Sequence, residues 1–512
     1  MTKPIAVRFA PSPTGPLHIG GVRTALYNHL FTQRFGGRCI LRIEDTDQTR
    51  FVEGAEEYIK EALAWMGIQF TEGPGIGGDF GPYRQSERSA QGLYAKYAQQ
   101  LIDNGAAYYA FDTSEELEAM RERLKAEGSS IQQYNYATRG SMSNSLTLSA
   151  EEVQSRIEAG DPYVVRMKMP EDERIVFQDI VRGEVGFHSA QLDDKVLVKS
   201  DGLPTYHLAN VVDDYHMQIS HVIRGEEWLS STPLHVMLYR GFGWEEEMPQ
   251  FVHLPLILNP NGKGKMSKRQ GDKMGFSVFP TQWQDPETGN ISTGYREDGY
   301  EPEALMNFLA LLGWNPGNDE ELMPEARLVE LFDLARINNS GTKFDLDKLK
   351  WFNQSYLKGI LDKDTLLERV KGELAKAGLS ASSDAYLWQA IELMRERVVL
   401  RKDFVEQAAF LFTAPTVYDE KMSRKRWKED SGAILQGLMQ AFEELPEWEA
   451  GALHERFQAY LATHELGMGK VMAPLRLALT GLPSGPGVFD IAALIGREAC
   501  QNRVAQAIAR LG

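Results

Sequence analysis

A chain of 512 residues with 43 % hydrophobic and 25 % charged side chains has the composition of a soluble globular protein, and at about 150 residues per domain it holds roughly three to four domains. A single small binding module is excluded. The 55 lysines and arginines against 72 aspartates and glutamates leave a net charge of -17, which excludes coating nucleic acid by bulk electrostatics and leaves RNA contact to local basic patches.

Cys39 and Cys500 are too few and too far apart for a disulfide framework, or for a structural zinc site without histidine partners, so a reducing compartment fits them. Arg8 interrupts the first apolar run, no signal-peptide core is visible, and no stretch of about 18 apolar residues occurs; the expectation is a cytoplasmic protein that does not span a membrane.

In chain order, Ile5, Val7 and Phe9 alternate with Ala6, Arg8 and Ala10 and predict a short strand, after which Pro11-Ser12-Pro13-Thr14-Gly15-Pro16 forces a loop. Val22, Ala25, Leu26, His29 and Leu30 recur at helical spacing, and Gly36-Gly37 ends that helix. Residues 39–43 predict a second strand, followed by the acidic turn Glu44-Asp45-Thr46-Asp47 and a helix through Ile59, Leu63 and Met66 to Gly67. Strand, loop, helix, strand, helix opens a parallel α/β sheet. A helix through Leu93, Tyr97 and Leu101 ends at Asn104-Gly105. Beyond it, charged helices alternate with β-like runs such as Tyr163-Val164-Val165-Arg166-Met167, which reads as an insertion into the sheet domain.

Sheet-like apolar segments resume at 196–198, 211–212 and 222–223, ahead of the Gly/Lys loop 259–268. The Gly/Thr/Asp-rich stretch 284–299 reads as one exposed loop. Past about residue 300 the chain reads as almost wholly helical, from Ala304, Leu305, Phe308, Leu309 and Leu312 through Tyr386, Ala390, Leu393 and Met394 to Ile491, Leu494 and Ile495.

Two loops carry chemistry. The first, residues 11–21, joins a strand end to a helix start, where free backbone N–H groups and the helix dipole favour anions. Its glycines admit a phosphate, and His18 can donate to a phosphate oxygen or simply cap the helix. The loop is neither a P-loop nor a G-x-G-x-x-G fingerprint. The second, Gly262-Lys263-Gly264-Lys265-Met266-Ser267-Lys268-Arg269, places four cations on a glycine-rich segment that can close over a polyphosphate or remain a solvated basic surface.

His18-Ile19-Gly20-Gly21 and Lys265-Met266-Ser267-Lys268-Arg269 resemble the "HIGH" and "KMSKS" signatures of class I aminoacyl-tRNA synthetases. With "RFAPSPTG", "RIEDTD" (42–47), "GPYRQSER" (81–88), "KSDGLPTYHLANVVDD" (199–214), "HVIRGEEWLSSTP" (221–233), "FDLDKLKWFN" (344–353) and "APLRLALTG" (473–481), the resemblance is to the bacterial glutamyl-tRNA synthetase family and covers nearly the whole chain. It implies a Rossmann-like α/β catalytic domain with an inserted α+β acceptor-binding domain, followed by all-helical stem-contact and anticodon-binding domains. The implied boundaries are 1–102 and 206–263 for the catalytic halves, 103–205 for the insertion, 264–360 for the stem-contact domain with the KMSKR loop, and 361–409 and 410–512 for the anticodon-binding domains.

The same resemblance implies activation of L-glutamate with ATP and Mg²⁺, transfer to tRNA(Glu), and a monomer. His18, Lys265 and Lys268 would be catalytic. Arg8 would receive the substrate's side-chain carboxylate, with Glu44 for its ammonium and Ser12, Tyr206, Asn210 and Arg224 completing the glutamate pocket. Thr14, His18, Gly20, Glu227, Trp228, Leu256 and Lys268 would bind ATP. Taken without the family match, Arg8 reads as the partner of a structural acid, Glu44 as a surface turn and Trp228 as core packing. Gly21 replaces the last histidine of the first signature and Arg269 the last serine of the second. Tyr108-Tyr109-Ala110-Phe111 stands where some relatives hold zinc with cysteines, so no zinc is expected.

For RNA, Arg397 aligns with a position linked to the last anticodon base. The run 421–428 sets five cations, among them Arg424, Lys425 and Arg426, beside Trp427, a composition suited either to phosphate contact and base stacking or to a solvated helix face. Open alternatives are an enzyme that also charges tRNA(Gln) with glutamate and a catalytically inactive tRNA-binding scaffold. A glutamine-specific relative and a truncated paralogue that modifies a tRNA base both lack this helical second half.

Overall fold

The alternating run at the start forms the strand Ala6–Phe9, which pairs in parallel with Arg38–Leu41 across the helix Ile19–Phe35. The return is tight. Gly37 sits at φ 134°, where a Cβ would lie 2.4 Å from the Ile5 carbonyl oxygen, so only glycine lets the chain double back this close to the strand it left. Ser220 joins this pair to the rest of the sheet, its N–H donating to the Ala6 carbonyl at 2.8 Å and its hydroxyl accepting from the Ala6 N–H at 2.9 Å. His221–Gly225 then runs parallel to Gln250–Leu254. Val222, Ile223, Phe251 and Val252 are all buried, the continuous apolar pattern of strands covered on both faces.

The model is a computed structural model that describes residues 3–129, 132–267, 271, 273 and 275–512. It divides into two units, Met1–Glu297 with Leu305–Leu346, and Asp298–Ala304 with Asp347–Gly512. In the first unit, a hairpin of Arg174–Asp179 and Gly183–His188, from within the stretch read as an insertion, extends the parallel sheet by pairing Asp179 with Phe251. The insertion's other strands, Ala107–Ala110, Val164–Met167 and Val196–Val198, form a separate antiparallel sheet.

Two local expectations are corrected. Residues 211–212 are not sheet: they lie in the helix Tyr206–His216, which packs against the helices Leu93–Asp103 and Thr232–Phe242 and the strand Val196–Val198. A helix covered on several sides buries Leu208, Ala209, Val211 and Val212 together and loses its 3.6-residue signature. The stretch 284–299 is not one loop either. Trp283–Gln284 pairs antiparallel with Ile291–Ser292 and a short helix Tyr295–Asp298 follows. The ladder is anchored by buried Trp283, edge-on to Tyr58 at 5.1 Å, and turns on the Asp285 carboxylate, which accepts from the N–H groups of Glu287 and Thr288.

The second unit is helical. Lys363–Lys376 and Asp384–Met394 bury Leu366, Val370, Leu374, Leu387, Ile391 and Met394 in one core; Ser431–Glu443, Ala450–Thr463, Met468–Thr480 and Arg497–Leu511 bury Leu435, Leu438, Phe457, Leu475 and Val504 in another. Fully buried Glu301 is neutralised by Arg401 at 3.0 Å and by Arg369. Among the described residues no helix is long and apolar enough to cross a membrane.

Candidate active site

The strands Ala6–Phe9, Arg38–Leu41, His221–Gly225 and Gln250–Leu254 all deliver their carboxyl ends to one cleft of about 670 Å³ in the first unit. This is where open α/β sheets bind ligands. Arg8, Ser12, His18, Gly20, Glu44, Tyr206, Asn210, Arg224, Glu227, Trp228, Leu256 and Lys265 line it. Thr14 lines an adjoining cavity of about 620 Å³ that shares Ser12, His18 and Lys265 with the first. Residues from both signature segments therefore face one space. Lys268 and Arg269 lie outside the described residues.

One wall is a buried charge network. Arg8 donates through Nε and Nη2 to the two oxygens of Asp214 at 3.0 and 3.2 Å, so it is paired with a structural acid and lines the cleft as well. Asp214 also accepts from Arg42 Nη1 at 2.7 Å, and Arg42, wholly buried, donates to Glu44 Oε1 at 3.0 Å. Burial alone would push Asp214 upward, but the two arginines outweigh it and hold its pKa below the usual aspartate value. Glu44 is shifted the other way: burial raises its pKa despite Arg42, Arg8 and the Asn210 amide, which donates to Oε1 at 3.0 Å. No described residue donates to Glu44 Oε2, which leaves an acceptor for an ammonium group.

Arg224 is held differently. Its nitrogens donate to His253 Nε2 at 3.0 Å, the Tyr206 hydroxyl at 3.1 Å and the Thr232 hydroxyl at 2.9 Å. None of its hydrogen-bond partners among the described residues is a carboxylate, although the side chain is buried. A buried guanidinium ringed by neutral acceptors is a site for an incoming anion.

Opposite, His18 caps the helix Ile19–Phe35: its Nδ1 accepts from the Gly20 N–H at 3.0 Å, so the ring proton sits on Nε2 and can be donated into the cleft. His18 faces the open cleft, yet desolvation within it and then the Lys265 ammonium hold its pKa below the ordinary imidazole value. Lys265 pairs with Glu227 at 2.8 Å. Trp228 is not core packing; it is 39 % exposed, with its ring 4.4 Å from that of Tyr206, which leaves an aromatic surface for a base.

The RNA candidates, Arg397, Arg424, Lys425 and Arg426, are on the second unit and are exposed there. Arg397 stands near Arg476, whose pKa burial lowers first and Arg397 lowers further. Arg424 pairs with Glu420 on the helix Glu420–Arg426. Trp427 is buried in the adjoining core and cannot stack on a base, which corrects that part of the expectation: the apolar ring serves packing and only the cations face outward. At the stretch compared with zinc sites, the Tyr108 hydroxyl donates to buried Asp194 at 2.7 Å, and Arg139 donates to the same carboxylate at 3.1 Å. Among the described residues no group of three or more His, Cys, Asp or Glu is arranged to hold a metal.

Sequence reasoning overlooked Arg42, Asp214, Asp179 and His253. Each is a polar residue inside an apolar strand or helix run, and such a residue has to find a partner in the interior. That signal marks the residue but leaves its partner unnamed.

Residues 4–351 match the family model of class I tRNA synthetases (E and Q), catalytic domain, and residues 365–508 match an anticodon-binding domain. A glutamate–tRNA ligase of Christiangramia forsetii is 52 % identical over 508 residues, 99 % of each chain, and one of Porphyromonas gingivalis is 53 % identical over 509 residues, again 99 % of each. Among solved structures, a glutamate tRNA ligase from Elizabethkingia meningosepticum in complex with its amino acid has a TM-score of 0.93 at 47 % identity and covers 100 % of both chains. The glutamate-tRNA synthetase of Elizabethkingia anophelis gives 0.89 at 48 %, covering 99 % of this chain and 100 % of that one. The expected fold class, a class I catalytic domain followed by a helical anticodon-binding region, is borne out.

Proposed function

Because the chain belongs to the class I tRNA synthetases of the glutamate and glutamine type, we propose that it works as a glutamate–tRNA ligase whose chemistry takes place between His18 and Lys265. The observation that carries this reading is the single cleft in which His18 and Lys265 meet Arg8, Arg224 and Glu44. The substrate's ammonium goes to Glu44, whose Oε2 accepts from no described residue, and its carboxylates go to Arg224 and Arg8, with Ser12, Tyr206 and Asn210 fixing the backbone atoms. ATP lies along Thr14, Gly20, Glu227, Trp228 and Leu256, and Mg²⁺ comes with the nucleotide as its counter-ion.

A carboxylate oxygen of glutamate attacks the α-phosphorus, the bond to the β-phosphate oxygen breaks, and pyrophosphate leaves with the negative charge. A terminal ribose hydroxyl of tRNA then takes the acyl group and AMP departs. Neither step needs a protein nucleophile. The chain aligns the reactants and stabilises charge on phosphate oxygens through His18 Nε2–H, Lys265 and Lys268. Glutamine is disfavoured because its side-chain NH₂ would face guanidinium N–H donors at a place where both oxygens of a carboxylate can accept from them.

Residues 103–205 are assigned to the acceptor end, 264–360 to the stem, and 361–409 with 410–512 to the anticodon, where Arg397, Arg424, Lys425 and Arg426 are the contact candidates. The enzyme acts as a cytoplasmic monomer. Aminoacylation of purified tRNA(Glu) and tRNA(Gln) with glutamate, alongside glutamate-dependent ATP–pyrophosphate exchange in the presence of tRNA, tests the reading. Charging of tRNA(Glu) is expected. No exchange and no charging would leave the inactive scaffold, and equal charging of both tRNAs would make the enzyme a non-discriminating one.

A further inference from the structure

Arg224 is backed by two groups that do not line the cleft, Asp179 and His253. The strand Arg174–Asp179 ends on Asp179, whose Oδ1 accepts from the N–H groups of Val181 and Arg182, both at 2.9 Å. Its Oδ2 accepts from His253, from the backbone N–H at 3.1 Å and from ring Nδ1 at 2.6 Å. His253 lies on the neighbouring strand Gln250–Leu254, and its Nε2 faces Arg224 Nε at 3.0 Å. A guanidinium can only donate, so His253 Nε2 must accept, and the ring proton must sit on Nδ1 against Asp179. Both side chains are completely buried.

We propose that Asp179 and His253 are positioning residues, a carboxylate–imidazole relay that fixes the orientation of Arg224 toward the carboxylate of the amino-acid substrate. The inference rests on Arg224 as a substrate-holding residue. The relay solves a problem the cleft poses. A carboxylate placed directly on Arg224 would neutralise it, as Asp214 neutralises Arg8. A neutral imidazole between the two anchors the guanidinium through one directed hydrogen bond and keeps the anion at second hand. Desolvation keeps the His253 pKa low even though Asp179 pulls it upward, so the ring stays neutral and Nε2 remains an acceptor. This is the arrangement by which a carboxylate orients a ligating histidine in metal sites, here with a guanidinium in place of the metal.

The relay predicts a pattern that general loss of packing does not. In Asp179→Asn the new NH₂ group meets N–H donors whichever way it turns: those of Val181 and Arg182 on one side, those of His253 on the other. Facing His253, it still opposes the backbone N–H and is relieved of the ring donor only if the ring proton moves from Nδ1 to Nε2, which then opposes Arg224 Nε–H. His253→Asn keeps a group near Nδ1 for Asp179 but removes the acceptor for Arg224. His253→Gln does the reverse, since its amide oxygen reaches the Nε2 position.

Glutamate-dependent ATP–pyrophosphate exchange of the full chain with tRNA should show the glutamate KM raised about 10- to 100-fold in Asp179→Asn and His253→Asn, with the ATP KM within about twofold of wild type. In His253→Gln the glutamate KM should stay within about threefold. Selective ¹⁵N-histidine NMR should find a neutral Nδ1–H ring at His253 in the wild type and an Nε2–H ring in Asp179→Asn. The relay is overturned if both His253 variants raise the two KM values alike, if Asp179→Asn leaves the glutamate KM unchanged, or if the wild-type ring carries its proton on Nε2. Wild-type protein inactive with glutamate would instead sink the assigned function, and the NMR tautomer would still decide the relay.

Discussion

The pairing of Arg8 with Asp214 separates binding from stability in a measurable way. Arg8→Ala removes two hydrogen bonds to Asp214, but that carboxylate keeps Arg42 at 2.7 Å, so no buried charge is orphaned. The cost to folding should be that of hydrogen bonds to a charged group, about 1.5–3 kcal/mol. Asp214→Asn has nearly the same shape but removes the anion shared by two buried arginines; Arg42 keeps Glu44, whereas Arg8 keeps no ion pair among the described residues. Breaking a buried pair this way typically costs about 3–5 kcal/mol. The order inverts for chemistry. Arg8→Ala deletes a donor for a buried substrate carboxylate, worth about 2–5 kcal/mol, and should lower kcat/KM for glutamate by a factor of about 30 or more. Urea unfolding followed by circular dichroism gives the first quantity and pyrophosphate exchange with tRNA present gives the second. The reasoning fails if Arg8→Ala unfolds at lower urea than Asp214→Asn, or if it exchanges pyrophosphate with glutamate at a near-normal rate.

Three further outcomes follow from the geometry. His18→Asn should keep the cap on the Gly20 N–H while slowing adenylate formation about a hundredfold, whereas His18→Ala should in addition lower stability by about 1 kcal/mol; thermal melts and single-turnover rates separate the two. His207 is held down to about 4, mainly by burial, against about 6.5 in the unfolded chain, so the unfolded state binds the extra proton as pH falls through that window. Stability is complete above about 6.5 and should drop by up to about 2 kcal/mol between pH 7.5 and 5, with His207→Gln flattening that slope in denaturant titrations at the two pH values. The Lys265–Glu227 pair is half exposed, with 47 % and 44 % of the two side chains accessible, and adds at most about 1 kcal/mol. Lys265→Met should therefore leave the melting temperature within about 2 °C while raising the KM for ATP; a large loss of stability would show that the pair holds the fold together instead.

Much of the architecture was legible because local rules and tertiary packing agree in the first fifty residues. The alternation over 5–9, the Pro/Gly loop and the Gly36-Gly37 stop reappear as the strand Ala6–Phe9, the cleft rim and the end of the helix Ile19–Phe35. Reading failed where burial hid a period or anchored an apparent loop. Tyr206–His216 is buried on several sides and lost its helical stripe, and 284–299 is pinned by Trp283, whose ring partner Tyr58 is distant in sequence. Trp427 shows the opposite error, since an aromatic among five cations suggests an outward ring and the core took it instead.

The residues of the cleft could be named from sequence because their identities are chemical and their motifs local: a histidine at a helix start, an arginine in a strand, a lysine on a glycine-rich loop. Their partners could not, because pairing depends on which distant segments the sheet brings within about 3 Å. Sequence alone thus named groups that line the cleft. Only the tertiary structure decided that Arg8 is neutralised by Asp214 while Arg224 is steadied through an uncharged ring, a difference that comes from desolvation and from the 206 residues separating Arg8 from Asp214.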